Sequence, residues 1–137
     1  DGNGAAQPPS LGELLRRLEE LRPQLEAGIE AGDRDRKVPA EGIEALRDAE
    51  LLRLLTPRRF GGFELGFRSS VEMAIALGRI DGSTAWVTNL GNGAAYLIGM
   101  MTDEAQHDVW SESPDVTSTA CFNPSGTSRR EGDMAHQ

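Results

Sequence analysis

A chain of 137 residues with 38% hydrophobic content can bury one modest core, so a single domain is the starting expectation. Its formal charge of -8, from 14 Lys and Arg against 22 Asp and Glu, disfavours a non-specific grip on nucleic acid, which needs clustered cations. Cys121 is the single cysteine, which excludes an intrachain disulfide and fits a reducing compartment. No basic-then-apolar leader opens the sequence, and a cytoplasmic location is expected.

Asp1 to Pro9 holds Gly, Ala and Pro with nothing to bury, and a disordered lead-in over residues 1–9 is expected. Ser10-Leu11-Gly12-Glu13 is a capping box, after which Leu11, Leu14, Leu15, Leu18, Leu21, Leu25 and Ile29 recur every three or four residues. This spacing predicts a long amphipathic helix, kinked at Pro23 and ended by Gly32 and the charged run Asp33 to Lys37. Pro39 opens a second helix, which the cluster Leu51, Leu52, Leu54 and Leu55 extends to Leu55. Thr56-Pro57-Arg58-Arg59-Phe60-Gly61-Gly62 then reads as a turn, because Pro57 disfavours helical geometry before it and the glycines permit positive φ.

A third helix is predicted over Ser70 to Ile80, stopped by Asp81-Gly82. Ser83 or Thr84 caps a fourth, Ala85 to Met101, with apolar residues on every face, so it is expected at the centre of the layer; Thr88, Asn89 and Asn92 and its length argue against a bilayer span. Gly91, Gly93 and Gly99 cost helix propensity, which suits a close approach by backbone or ligand. Thr102 caps a fifth helix, with Asp103 and Glu104 in its first turn, that stops before Pro114. Val116 to Phe122 is β-branched and small and reads as a strand, ended by the turn Asn123-Pro124-Ser125-Gly126.

The chemical inventory is sparse. His107 and His136 lie far apart among solvent-leaning residues, and no spacing resembles a metal site. Cys121 reads as a small apolar residue, and the carboxylate pairs Glu19-Glu20 and Asp33-Asp35 sit among arginines as solvated surface. The glycines match neither a dinucleotide fingerprint nor a P-loop. There remain Gly82-Ser83-Thr84-Ala85-Trp86, the apolar helix after it, and Cys121 to Thr127, whose amides and hydroxyls suit either an ordinary β-turn or the polar edge of a ring or phosphate.

Taken in order from about Leu11 to Arg130, these segments resemble the acyl-CoA dehydrogenase superfamily. The resemblance is carried by Asp33 to Pro39, Leu46-Arg47, Leu51 to Pro57, Phe60-Gly61-Gly62, Arg79 to Trp86 and Asp103 to Trp110. It implies an all-α chain, a helical amino-terminal domain of about five helices over residues 10–114, followed at 115–137 by the first strand of a truncated middle β-domain. Dehydrogenases of the family carry Thr-Glu-Pro-Gly-Ala-Gly-Ser-Asp at the strand-turn, whereas this chain has Phe122-Asn123-Pro124-Ser125-Gly126-Thr127-Ser128-Arg129. Pro-Ser-Gly, with Trp86 after Gly-Ser-Thr-Ala, is more similar to the two-component flavin-dependent monooxygenases.

On that resemblance the cofactor is reduced FMN or FAD, delivered by a separate flavin reductase and bound near Trp86, Phe122, Asn123, Ser125 and Thr127. Oxygen adds to the flavin as a C4a-hydroperoxyflavin, and one oxygen atom passes to an aromatic, polyketide or amino-sugar substrate. Asn89, Asn92 and Tyr96 form a substrate wall or, equally, hydrogen-bond to neighbouring helices. Monooxygenases of this type often place a histidine on this helix, where Asn92, Gly93 or Ala94 stands here. A homotetramer is implied for the full-length protein, with no nucleic-acid or membrane partner. An FAD-dependent acyl-CoA dehydrogenase or oxidase, and a helical assembly module without catalysis, are the two other readings.

Overall fold

The structure, a computed structural model, describes residues 7–118, 126–127, 129–131 and 134–136. Five α-helices form it: α1 (Leu11–Asp35), α2 (Ala40–Asp48), α3 (Phe67–Gly78), α4 (Gly82–Ile98) and α5 (Asp103–Trp110). An antiparallel pair of short strands, β1 (Arg129–Glu131) and β2 (Met134–His136), follows with Arg130 opposite Ala135. The fold class is the all-α one expected. The strand read over Val116 to Phe122 is not seen at 116–118, and its remainder falls outside the described residues, as does most of the lead-in.

Helix α1 starts where the capping box places it: Ser10 Oγ accepts from the Glu13 amide at 3.2 Å. Glu13 does not reach back as the box would have it, and its carboxylate instead meets Arg16 and Arg17. The helix runs unbroken through Pro23 to Asp35 and buries Leu14, Leu18 and Leu25 along one stripe. Arg36, in the left-handed conformation at φ 56°, closes it.

Helix α2 ends at Asp48, seven residues before the expected Leu55. The stop is a Schellman turn with glutamate in the place glycine usually takes: Glu50 has φ 66°, its amide donates to Arg47 O, and the Leu51 amide donates to Leu46 O at 2.9 Å. A non-glycine residue there costs about 1 kcal/mol, and the Glu50 carboxylate offsets it by pairing with Arg17 at 2.7 Å and Arg53 at 3.1 Å. The leucine cluster beyond it is therefore buried irregular chain, with Leu51 and Leu54 fully enclosed.

That chain folds back on itself through a single 3-10 turn at Arg58–Phe60 and Gly61 at φ 86°. Phe63 donates to Arg53 O and Leu65 to Leu54 O, closing a loop much like a hairpin. Gly62 lies so close to Thr56 that a Cβ would sit 2.0 Å from its carbonyl oxygen.

Helices α3 and α4 form the principal packed pair, with α1 crossing α2 and α3. Phe67 at the start of α3 meets Tyr96 near the end of α4, ring centroids 5.7 Å apart, so the two run antiparallel. The cap of α4 is Asp81, whose carboxylate accepts from the Thr84 amide at 2.7 Å, rather than Ser83 or Thr84. Trp110 of α5 is buried against Phe60, centroids 5.5 Å apart, and fastens α5 to the loop. Among the described residues, no helix is long and apolar enough to cross a membrane.

Gly62→Ala drives a methyl into the Thr56 backbone, which has no flexible side chain to yield. Overpacking of this kind costs about 3 kcal/mol, and urea denaturation should show the midpoint falling accordingly while the slope is kept.

Candidate functional site

Helix α4 has two unlike faces, which differs from the all-round burial its composition led one to expect. Thr84, Ala85, Thr88, Asn92 and Ala95 recur at helical spacing and point inward. The large apolar residues point outward: Trp86 is 66% exposed, Leu90 and Leu97 are about half exposed on the same stripe, and Met100, just past the end of the helix, is 64% exposed. Small and polar residues occupy the inner face because α3 and the irregular 51–54 chain approach the helix closely there.

Asn92 carries that approach. Its Oδ1 accepts from the Leu54 amide at 3.1 Å, and its Nδ2 donates to Leu51 O and Thr88 O, both at 3.3 Å. Asn92 is 2% exposed, so each of these bonds replaces one that water cannot supply. The residue read from sequence as a possible substrate wall thus has both amide hydrogens engaged by main-chain carbonyls.

Beside it, the inner edge of α4, the end of α2 and the segment after Pro114 enclose a cavity of about 250 Å³, lined by Ile43, Leu52, Val87, Thr88, Gly91 and Thr117. A Cβ at Gly91 would stand 3.1 Å from Thr117 Cγ2, so glycine is what lets this segment lie on the helix. Thr88 is 3% exposed, and its Oγ1 has no hydrogen-bond partner among the described residues. Arg47 also borders the cavity, with its charge matched by Glu44. Sequence reading passed over Thr88 and the lining role of Arg47; a hydroxyl on so apolar a helix, one turn before Asn92, was the available signal.

The segment entering this cavity is held from behind. Arg53 grips Asp115 with two nitrogens, Nε to Oδ1 at 2.7 Å and Nη2 to Oδ2, and Thr56 donates its hydroxyl to Pro114 O at 3.2 Å. Both partners of the ion pair are largely buried, and the hydrogen bond to Asp115 holds the Arg53 guanidinium above its ordinary pKa. A continuous chain of charge runs from Arg17 through Glu50 and Arg53 to Asp115.

Of the sequence-read site residues, Trp86, Asn89 and Tyr96 share the exposed side of α4, and Tyr96 leans on Phe67. Asn92 lies on the opposite side. Thr127 is exposed, while Phe122, Asn123, Ser125 and Cys121 fall outside the described residues. His107 is exposed and rests near Phe60. Among the described residues no group of His, Cys, Asp and Glu is arranged to hold a metal ion.

Comparison with known proteins decides the family. Residues 18–113 match the family described as Acyl-CoA dehydrogenase, N-terminal domain. The chain belongs to that family. Its relatives include the oxygenase component of p-hydroxyphenylacetate 3-hydroxylase from Acinetobacter baumannii, 27% identical over 88% of this chain and 29% of its own length. The FADH(2)-dependent resorcinol hydroxylase oxygenase component from a Rhizobium species is 39% identical over 65% of this chain and 22% of its own. In structure, XiaF from Streptomyces, in complex with FADH2 and glycerol, superposes with a TM-score of 0.82 at 28% identity, over 91% of this chain and 32% of that one. The HsaA monooxygenase from Mycobacterium tuberculosis gives 0.73 at 26% identity, over 78% of this chain and 29% of that one. The chain therefore spans less than a third of the length of these relatives.

Two substitutions probe the inner face. Asn92→Ala orphans the Leu54 amide and the Leu51 carbonyl in the interior, and at 1 to 2 kcal/mol for each buried unpaired group should lower stability by about 3 kcal/mol in denaturant titration. Thr88→Val keeps the shape and removes the unpaired hydroxyl, so it should raise stability by about 1 kcal/mol; a lowered midpoint would mean the hydroxyl has a partner in solution.

Proposed function

We propose that this chain is the helical portion of the oxygenase component of a two-component flavin-dependent monooxygenase, acting on an aromatic substrate. The observation that carries the reading is the superposition of 91% of the chain on a protein whose structure holds FADH2, reduced flavin being what such a component receives. The two hydroxylase relatives named above are themselves oxygenase components, which supports a separate flavin reductase as partner.

The residues fit a flat, largely apolar cofactor. Trp86, Leu90, Leu97 and Met100 present an exposed apolar stripe far larger than isolated surface residues require. Trp86, with Phe122, Asn123, Ser125 and Thr127 of the following segment, would hold the flavin, and Asn89 and Tyr96 of the same helix side would face the acceptor. Asn92 is a positioning residue, since it fixes α4 against the 51–54 chain. When bound, reduced flavin supplies the electrons that activate oxygen. The chain's part is to exclude water with the apolar stripe and to fix the acceptor beside it. A helical unit over 10–114 followed by the start of a β-domain, a cytoplasmic setting and a homotetramer of the full-length protein complete the reading.

Anaerobic titration tests it. Reduced FMN or FAD should quench tryptophan fluorescence more strongly than the oxidised forms, and Trp86→Phe should abolish the response, because the other tryptophan, Trp110, is buried in the core. Tight binding of oxidised FAD, bleached on adding an acyl-CoA thioester, would replace the oxygenase reading with the dehydrogenase one.

A further inference from the structure

Gly91 and Gly93 lie in the interior of α4, and Gly99 caps it. An interior glycine weakens a helix, so each needs a structural reason. Gly91 has one, since a Cβ there would stand 3.1 Å from Thr117 Cγ2, and at Gly99 a Cβ would press to 3.3 Å on Ala95 O. At Gly93 the same atom would meet nothing within 4 Å among the described residues. The chain after Pro114 crosses α4 at Gly91, and two residues further on the helix has turned by about 200°, so Gly93 looks away from that crossing.

Exposed apolar surface surrounds Gly93. Trp86 stands seven residues before it and Met100 seven after, in one row. Asn89 and Tyr96 rise on the side of α3 and Leu90 and Leu97 on the other, all four exposed. The bare backbone of Gly93 is thus the floor of a shallow trough whose ends lie about 10 Å away on either side. No residue of α4 carries a charge, so the trough does not select an ion. The large side chains three and four residues from Gly93 keep a second helix from lying along the row, because close helix approach needs small residues in series. A flat, uncharged plate fits where a helix does not.

We infer that the ring system of the reduced flavin lies flat across Gly93, and that glycine is kept there to set how closely the ring approaches α4. The inference rests on the oxygenase reading above and on the likeness of this chain to a protein that holds FADH2. Dispersion attraction falls steeply with a small gap, so a plate gains most when its whole face is in contact. A Cβ at position 93 would be a single raised point that tilts the ring off Leu90 and Leu97. Asn89 and Tyr96 border the edge nearest α3, the side on which the acceptor is held.

The test is Gly93→Ala in the 137-residue chain, whose two effects have opposite signs. With nothing near the new methyl the helix gains, and the unfolding equilibrium constant should fall about fivefold in urea titration. Reduced FMN, added anaerobically and followed by Trp86 quenching, should bind about tenfold more weakly, and Gly93→Leu should not respond to it. A residue that served packing alone would move stability and leave the flavin reading where it was. Unchanged affinity in both variants overturns the placement and leaves the oxygenase reading intact. A lowered urea midpoint in Gly93→Ala also overturns it, because the fold itself would then fill the space. No response to reduced FMN in the unaltered chain removes the oxygenase reading and the placement with it. Sedimentation velocity completes the test: dimers present in the unaltered chain and lost in Gly93→Ala, with flavin affinity unchanged, would give the trough to a second copy instead.

Discussion

A single side-chain amide decides where the helices of this chain can sit. Between α2 and the 3-10 turn the chain runs through the interior without regular structure, and such chain is stable only if its amides and carbonyls find partners. Asn92 supplies them from the next layer: one oxygen for Leu54, two hydrogens for Leu51 and its own helix. Aliphatic packing brings Leu51 and Leu54 inward, but the amide fixes the distance and rotation at which α4 meets them.

The same logic accounts for the unusual helix α4. Its hydropathy suggests burial on all sides, yet the side turned inward is the small and polar one. Apolar bulk at 86, 90, 97 and 100 is left outside. A helix of this kind is a divider, with one side committed to the fold and the other to a guest.

Much of this was readable from the sequence. The Ser10 cap, the leucine stripe of α1, the paired glycines at 61 and 62 and the acidic first turn of α5 all act locally, through backbone geometry that the residues themselves impose. The end of α2 was not readable, because glutamate rather than glycine takes the left-handed position and only distant Arg17 and Arg53 make that tolerable. For Asn92 the sequence left a substrate wall and a hydrogen-bonding role open, because a polar residue on an apolar helix signals a need for a partner but not which partner; the structure pairs it with main chain, while Thr88 Oγ1 has no partner among the described residues. The outward side of α4 was misjudged because mean apolarity does not distinguish surface reserved for the fold from surface reserved for something else. Asn92, read from sequence together with Asn89 and Tyr96, is buried while the other two are exposed on the side of Trp86.

The fork between Arg53 and Asp115 sets how the chain answers mechanical load. Tension along the segment after Pro114 is taken up by the contact of Thr117 with α4, by this fork and by the Thr56 bond to Pro114 before it reaches α5. Arg53 is anchored in turn through Glu50 to Arg17 on the longest helix, so a pull is spread across the molecule rather than peeling α5 away. The chain at Pro114 and Asp115 is thereby tied to the first helix as firmly as to the fifth, although Arg17 lies far from it in sequence.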